Sequence, residues 1–156
     1  MAEIPDDVMD RIRILTDQGN AWMEDEDYDG ALEQFEEALT LVPDPWTDWE
    51  AATWILTAIG DAYFLSGGYQ EAWEAFNDAV DCPGGKENPF VQLRLGQSEF
   101  ELGNMDLAAK HLGLAHGLDG ERVFEDEDPK YLELAKRGLA KPAQDAPPSK
   151  PWWKLW

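Results

Sequence analysis

A run of acids near the start of the chain has the residue types and the spacing of a calcium-binding loop. Asp25, Asp27, Asp29, Gly30 and Glu36 match the pattern D-x-[DN]-x-[DN]-G-x5-E in full. These carboxylates surround an ion only if the whole segment wraps around it as one loop. Acid-rich segments produce the pattern easily, so the periodicity of the surrounding sequence must decide whether a loop or a helix forms.

Other residues that could carry catalysis do not form a recognisable set. His111 and His116 are five positions apart, which is not the one-turn spacing of a zinc-binding helix. Cys82 is the single cysteine, and the chain has neither a cysteine cluster nor a glycine-rich phosphate loop. We therefore predict no enzyme activity, no catalytic residue, no metal and no cofactor. We expect both histidines on helix surfaces and Cys82 as a partly buried hydrophobic residue.

The charge balance restricts the kind of partner. The chain has 33 acids and 12 bases, a formal net charge of -21, and no lysine or arginine lies between Arg13 and Lys86. Such a surface repels nucleic acid and anionic lipid and speeds the approach of positively charged proteins, although an acidic surface can also serve solubility alone. No segment is apolar for the length that a bilayer requires, and the first residues do not resemble a signal peptide. We therefore expect a cytoplasmic protein with a basic protein partner, without nucleic acid or membrane.

An internal repeat indicates which elements position these residues. Six residues recur with unchanged spacing in a second copy, and five positions of a third copy follow the same order. The third copy departs from the pattern at Glu99, where the first two have an aromatic residue, and Phe100 follows one place later. The copies are Gly19, Trp22, Tyr28, Ala31, Phe35, Ala38; Gly60, Tyr63, Tyr69, Ala72, Phe76, Ala79; and Gly96, Met105, Ala108, Leu112, Ala115.

This order of glycine, aromatic, small, aromatic and small residues, with Pro43 closing the first copy, resembles the tetratricopeptide-repeat (TPR) family. The resemblance implies an all-α fold, a right-handed superhelical TPR solenoid of about three helix-turn-helix repeats. Its register makes the residues from Asp29 onward helical, which argues against the calcium loop. Weak calcium binding at the surface remains an alternative.

The repeats also divide the chain. We predict a TPR domain over residues 1–140, with repeats at about 8–43, 46–84 and 88–120, seven helices in all, and a capping helix at 129–140. Asp44 and Pro45 are expected to begin the third helix, as Asn88 with Pro89 and Asp128 with Pro129 begin later ones. Residues 141–156 are expected to form a proline-rich linker, which cannot be helical, and a tryptophan-rich C-terminal tail.

The resemblance further implies a concave groove, lined by the first helix of each repeat, that receives the partner. The basic residues with which chaperone-binding relatives hold a C-terminal carboxylate are mostly missing, which argues against a cochaperone role. We expect the groove to take an apolar segment with a few basic residues, unless Trp54 and Phe90 are simply core. By register, the groove residues are Arg13, Thr16, Asn20, Met23, Trp54, Thr57, Asp61, Phe64, Phe90, Leu93, Arg94, Gln97 and Phe100.

Two further surfaces are candidates for binding. Glu24, Asp25, Glu26 and Asp27 form an acidic face. Exposing three tryptophans in the last five residues is costly, so we predict a docking tail made of Trp152, Trp153 and Trp156. It would enter its own groove or that of a second copy, which would be self-association; a disordered end is the alternative.

Two functions fit these features, and neither needs a cofactor. In the first, the acidic face and the groove capture and sequester a basic protein, as in a bacterial immunity protein that neutralises a toxin; the chain is similar to such small acidic helical-repeat proteins in charge and size. In the second, the chain is a TPR adaptor or chaperone that binds an apolar client segment in its groove.

Overall fold

The computed structural model describes the backbone of residues 3–144 and the side chains of residues 3–137. Within that part of the chain, seven α-helices and two 3-10 turns are joined by short connections, and there is no strand. The helices are α1 (Asp6–Glu24), α2 (Tyr28–Thr40), α3 (Glu50–Leu65), α4 (Tyr69–Val80), α5 (Pro89–Glu101), α6 (Met105–Asp119) and α7 (Pro129–Gln144), with 3-10 turns at Trp46–Asp48 and Gly120–Phe124.

The first six helices form three consecutive hairpins that stack in chain order. Each hairpin packs against the next, α2 on α3 and α4 on α5, and α7 packs on α6. The small residues of the repeat are fully buried where the helices cross: Ala31, Ala38, Ala72, Ala79, Ala108 and Ala115. The seven helices and their stacking agree with the architecture expected from the repeat.

The repeated glycine has a packing role that the structure makes explicit. A Cβ atom built on Gly60 would lie 2.7 Å from the Cε2 and Cζ atoms of Phe76, and one on Gly96 would lie 2.7 Å from Cγ of Leu112. The large side chain of the second helix therefore lies directly on the backbone of the first helix. Only glycine leaves the space for that contact.

Two of the predicted helix starts are confirmed by their hydrogen bonds. Asn88 Oδ1 accepts from the backbone N–H of Phe90 at 2.9 Å, and Asp128 Oδ1 accepts from that of Lys130 at 3.0 Å. A proline is the first residue of both helices, where its missing N–H costs no intrahelical hydrogen bond. The side chain before each proline satisfies a backbone donor that the helix cannot pair.

Two predicted boundaries are wrong. Asp44 and Pro45 do not begin the third helix; a separate 3-10 turn follows them, and Trp49 at φ -119° and ψ 128° is extended, so α3 starts at Glu50. At the other end, α7 continues to Gln144, four residues beyond the predicted boundary at 140. Pro142 lies in this last turn, where a proline costs one backbone hydrogen bond and crowds the carbonyl group four residues earlier, and the helix ends two residues later.

The connector before α7 takes the chain across the face of α5. Tyr131, near the start of α7, donates its hydroxyl to Glu101 Oε1 at 2.6 Å, so α7 begins beside the end of α5. Further along α7, Nζ of Lys136 lies 2.5 Å from Oε1 of Glu121, a residue just past the end of α6. The middle of α7 therefore lies near the C-terminal end of α6.

The core has two parts. The larger contains buried side chains of α1 to α4 and reaches Val91 and Leu95 of α5. The smaller joins the third hairpin to the capping helix and consists of Leu93, Ala108, Leu112, Ala115, Phe124, Tyr131 and Ala135. Among the residues that the structure describes, no helix is both long and apolar enough to cross a bilayer.

Candidate partner-binding groove

The acidic segment at the end of the first helix does not have the geometry of a calcium loop. Helix α2 already begins at Tyr28, and Asp27 Oδ1 accepts from the backbone N–H of Gly30 at 2.9 Å. Asp29 and Glu36 are therefore helical and cannot wrap around an ion together with Asp25. In the described part of the chain, no group of three or more histidine, cysteine or acidic residues is placed to hold a metal ion.

The same segment forms an exposed acidic turn. Glu24, Asp25, Glu26 and Asp27 are all exposed where α1 passes into α2, and Glu26 has φ 58°. The acidic face is therefore a surface of the molecule, and one of its members, Asp27, also caps α2. A substitution at position 27 must preserve that hydrogen bond if it is to test charge alone.

One arginine of α5 contacts α3 across the groove. Arg94 Nε donates to Asp61 Oδ1 at 2.9 Å, and its guanidinium carbon lies 4.5 Å from the centre of the Phe64 ring and 5.0 Å from that of Phe90. An arginine between two aromatic faces gains cation–π attraction in addition to the ion pair. These contacts bring four of the side chains assigned to the groove by the register together on one surface.

A residue that the sequence did not point to fills this part of the groove. Glu127, from the connector before α7, accepts hydrogen bonds from Arg94 Nη1 at 2.9 Å and from Gln97 Nε2 at 3.1 Å. Arg94 Nη1 also donates to Gln97 Oε1 at 2.7 Å. The C-terminal part of the groove is thus occupied by the chain's own carboxylate, and the polar atoms of α5 there already have partners.

The electrostatics of this cluster follow from one cation between two carboxylates. Burial raises the pKa of Asp61, Arg94 partly offsets that effect, and the nearby charge of Glu127 raises the pKa further. The charge of Arg94 is therefore fully engaged inside the protein. It is not available to an anionic ligand unless the connector moves.

Several predicted groove residues are corrected by their burial. Leu93, Arg94 and Gln97 expose only 1%, 7% and 0% of their surface, because Leu93 belongs to the smaller core and the other two are covered by the connector. Phe90 is half-buried, packs against the larger core and has its ring centre 6.4 Å from that of Phe76, edge-on. The ring centres of Phe100 and Tyr131 are 5.3 Å apart in the same edge-on arrangement.

The N-terminal part of the groove is open. Trp54 is 37% exposed and borders a shallow pocket of about 200 Å³. The hydroxyl of Thr53 donates to the carbonyl oxygen of Pro83 at 2.7 Å and holds the wall of this pocket in place. The lining residues are Glu50, Thr53, Trp54, Thr57, Pro83, Gly84 and Asn88.

The first helix contributes both accessible and inaccessible residues to the predicted set. Arg13 and Asn20 are exposed on α1, and Met23 is half-buried. Thr16 is buried, with its hydroxyl bonded to the carbonyl oxygen of Arg13 at 2.9 Å. The residues of the register that are exposed are therefore Arg13, Asn20 and Trp54, on α1 and on the first half of α3.

The departure of the third repeat from the pattern also has a structural explanation. Glu99 is fully buried, and His111 Nδ1 lies 2.5 Å and 3.0 Å from its two carboxylate oxygens. Where the other repeats place Trp22 or Tyr63, the third repeat places an acid and pairs it with a histidine of the next helix. The expectation that His111 is a surface residue is therefore wrong, because it is the partner of a buried carboxylate.

The tail falls outside this description. Trp152, Trp153 and Trp156 lie beyond the described residues, so the docking tail stays a prediction.

Comparison with solved structures decides the fold. No family model and no curated protein sequence matches the chain. The TPR domain of Arabidopsis OM64 superimposes with a TM-score of 0.67 at 18% identity, covering 85% of this chain and 97% of that domain. The fold is that of a tetratricopeptide-repeat domain.

Two further TPR domains are similar over most of their length. The first TPR of Spaghetti (RPAP3), bound to the HSP90 peptide SRMEEVD, gives a TM-score of 0.65 at 21% identity over 84% of this chain and 93% of that one. The Sgt2 TPR domain from Aspergillus fumigatus gives 0.63 at 21% identity over 89% and 86%. Identities this low establish the fold of this chain rather than its partner.

Proposed function

We propose that the chain is a non-enzymatic TPR adaptor that binds a segment of a client protein in the open, N-terminal part of its groove. The observation that carries this proposal is Trp54, an exposed aromatic residue at the edge of a pocket on the inner helix α3. Aromatic side chains of this kind are the residues that most often dominate binding energy at protein interfaces. The remainder of the groove is filled by Glu127, which restricts binding to this end.

The pocket indicates the chemistry of the client. The face of Trp54 attracts a cation, and Glu50 contributes a carboxylate to the same wall. No lysine or arginine lies between Arg13 and Lys86 to repel a positive charge. The fitting client is an apolar segment that carries a lysine or arginine.

The size of the pocket agrees with a peptide side chain. Pockets for small molecules usually enclose roughly 300–1,000 Å³. The space beside Trp54 is about 200 Å³ and is open on one side. A single long side chain fits this space better than a cofactor does.

The similar RPAP3 domain supports peptide binding by this fold, but the charge of its peptide differs from that of the client proposed here. Its peptide, SRMEEVD, carries acidic residues. In the present chain, Arg94 is paired with Asp61 and Glu127, and the residues that line the pocket beside Trp54 include one acid, Glu50, and no base. An acidic peptide would therefore meet repulsion, whereas a basic one would not.

Sequestration of a basic toxin by an immunity protein has weaker support. That hypothesis rests on net charge alone, and none of the three neighbours described above is an immunity protein. The adaptor function rests on a defined pocket as well as on charge. It is therefore the function that we propose.

Selection from a displayed library of random peptides tests the proposal directly. The full chain, a Trp54→Ala variant and an Ile14→Ala control would each be used as bait; Ile14 is an exposed apolar residue of α1, 48% accessible, outside the predicted groove residues. We expect the wild type and the control to enrich apolar peptides with a lysine or arginine. We expect Trp54→Ala to bind the enriched peptide at least about tenfold more weakly, as for a central aromatic residue of an interface. Equal binding by Trp54→Ala would disprove the groove proposal.

Charge is tested separately on the acidic face. Glu24, Asp25 and Glu26 would be changed to their amides together with Asp27→Asn, which retains the cap on α2. We expect a slower association rate with a weaker salt dependence and little change in dissociation. If the association rate is unchanged, the acidic face plays no part in client capture and serves solubility only.

A further inference from the structure

A second apolar surface lies on the outside of the third repeat. Of the nine exposed large apolar side chains in the described part of the chain, five lie between residues 102 and 118. Three of them, Leu107, Leu114 and Leu118, are 41%, 45% and 46% exposed and lie on one side of α6. At 3.6 residues per turn they fall within an arc of about 40° and extend roughly 16 Å along the helix. We call these three residues the leucine stripe.

The stripe is separate from the face by which α6 packs. Ala108, Leu112 and Ala115 are the residues of α6 that are buried in the smaller core. They are turned by roughly 100° from the stripe around the helix axis. The stripe is therefore not needed to hold the third repeat to α5 and α7.

Two of the three stripe positions carry acids in the second repeat. In the register of the repeat, Leu107 and Leu114 correspond to Glu71 and Asp78 of α4. An acid at these positions keeps the outer surface in contact with water, whereas a leucine exposes apolar surface at a cost. The third repeat thus replaces acids with leucines on a surface that faces solvent.

We propose that the leucine stripe is the docking site of the chain's own C-terminal tail, Trp152 to Trp156. The tail is apolar at four of its five positions, being Trp-Trp-Lys-Leu-Trp. Extended, its five residues span roughly 13 Å, close to the length of the stripe. Apolar surfaces of similar length on one chain are stabilised by covering each other.

The end of α7 puts the tail within reach. Lys136 contacts Glu121 at the end of α6, and Gln144 is eight residues further along α7, about 12 Å at the helical rise. The next seven residues, 145–151, contain three prolines, and an extended proline-rich segment rises about 3.1 Å per residue. This linker of roughly 22 Å is long enough to return past the end of α6 and bring Trp152 to the stripe.

The groove is a poorer site for this tail. The pocket beside Trp54 has a volume of about 200 Å³, which accommodates one side chain. The C-terminal part of the groove is occupied by Glu127. The leucine stripe is the surface that offers length and apolar character together.

Thermal unfolding of four forms of the full 156-residue chain tests the docking. They are the wild type, a tail variant (Trp152→Ser, Trp153→Ser, Trp156→Ser), a stripe variant (Leu107→Gln, Leu114→Gln) and the combination of both. We expect the tail and stripe variants each to lower Tm by roughly 3 °C or more, and the combination to lower it no further than either alone. The stripe residues are exposed and outside the core, so the stripe variant is expected to fold.

A matched control and a mass measurement complete the experiment. Ile14→Gln removes an equally exposed apolar residue of α1, and its effect should add to that of the tail variant without coupling. Docking within one molecule also requires a monomeric mass by light scattering and a Tm that does not depend on concentration.

Three results would overturn the proposal. Additive effects of the tail and stripe variants would mean that the two do not touch. Coupling of the tail variant to Trp54→Ala instead of to the stripe variant would place the tail in the groove. A dimeric mass that the stripe variant abolishes would mean that a second copy covers the leucines.

Discussion

Replacing the repeated glycine of the second repeat should overfill a helix crossing. At Gly60, a Cβ atom would lie 2.7 Å from two ring atoms of Phe76, whereas ordinary contacts are no closer than about 3.4 Å. Phe76 is fully buried and packs edge-on against Phe90, so its ring has no free space into which to move. Overpacking of this kind costs about 1–3 kcal/mol.

The helix itself opposes this cost. Alanine is favoured over glycine inside a helix by about 1 kcal/mol. The net effect of Gly60→Ala should therefore be a loss of about 1 kcal/mol of unfolding free energy, the middle of the overpacking range less the gain in propensity. For a domain of this size the loss corresponds to a fall in Tm of roughly 2–4 °C.

Gly117 is the matched control. It lies in α6, is exposed, and has nothing within 4 Å of the position of an added Cβ. Gly117→Ala should therefore raise the unfolding free energy by about 0.5–1 kcal/mol through helix propensity alone. The two substitutions are chemically identical, so their opposite signs report the contact with Phe76.

Urea unfolding followed by circular dichroism gives both values. A Gly60→Ala protein that is as stable as the wild type, with the native helix content, would refute the argument. A loss in Gly117→Ala of the same size as in Gly60→Ala would show that the contact with Phe76 is irrelevant. Adding Phe76→Leu to Gly60→Ala should recover part of the loss, because a smaller side chain leaves room for the methyl group.

Three further predictions concern buried polar groups. His111→Ala leaves Glu99 buried without its partner and should lower the unfolding free energy by about 2–4 kcal/mol, and adding Glu99→Gln should recover part of the loss in urea unfolding. Burial raises the pKa of Glu101, but hydrogen bonds, first of all from Tyr131, outweigh this and leave the pKa below its usual value. The stability that comes from the lowered pKa is present above the ordinary pKa of the carboxyl group and is lost as the pH falls through the pKa of the folded state. Tyr131→Phe should therefore cost about 1 kcal/mol of unfolding free energy at pH 7 and less at pH 3. An equal cost at both pH values would contradict this. Burial and neighbouring carboxylates raise the pKa of Cys82 to about 11, so its reaction with a disulfide reagent at pH 8 should be at least roughly a hundredfold slower than that of a free cysteine and should recover in denaturant.

The helices and their pairing could be read from the sequence because their determinants are local. Gly60 and Phe76 meet within one hairpin, so their recurrence at a fixed spacing encodes a contact between neighbouring helices. Asn88 followed by Pro89 similarly encodes a helix start through hydrogen bonds that span only two or three residues. The error at Asp44 and Pro45 has the same origin, because the extended backbone of Trp49 interrupts a pattern that otherwise resembles a helix start.

The accessibility of the groove was decided by the tertiary structure. The register assigned Asp61 and Arg94 to the same groove, but it could not show that they form an ion pair or that Glu127, 33 residues after Arg94, would close over them. Nor could it show that the acid at position 99 would be neutralised by His111 of the next helix. Repeat periodicity specifies which side of a helix a residue occupies, because that depends on a few neighbouring residues. Which surfaces stay open depends on the path of the connector before α7, and that path is determined only when distant parts of the chain pack together.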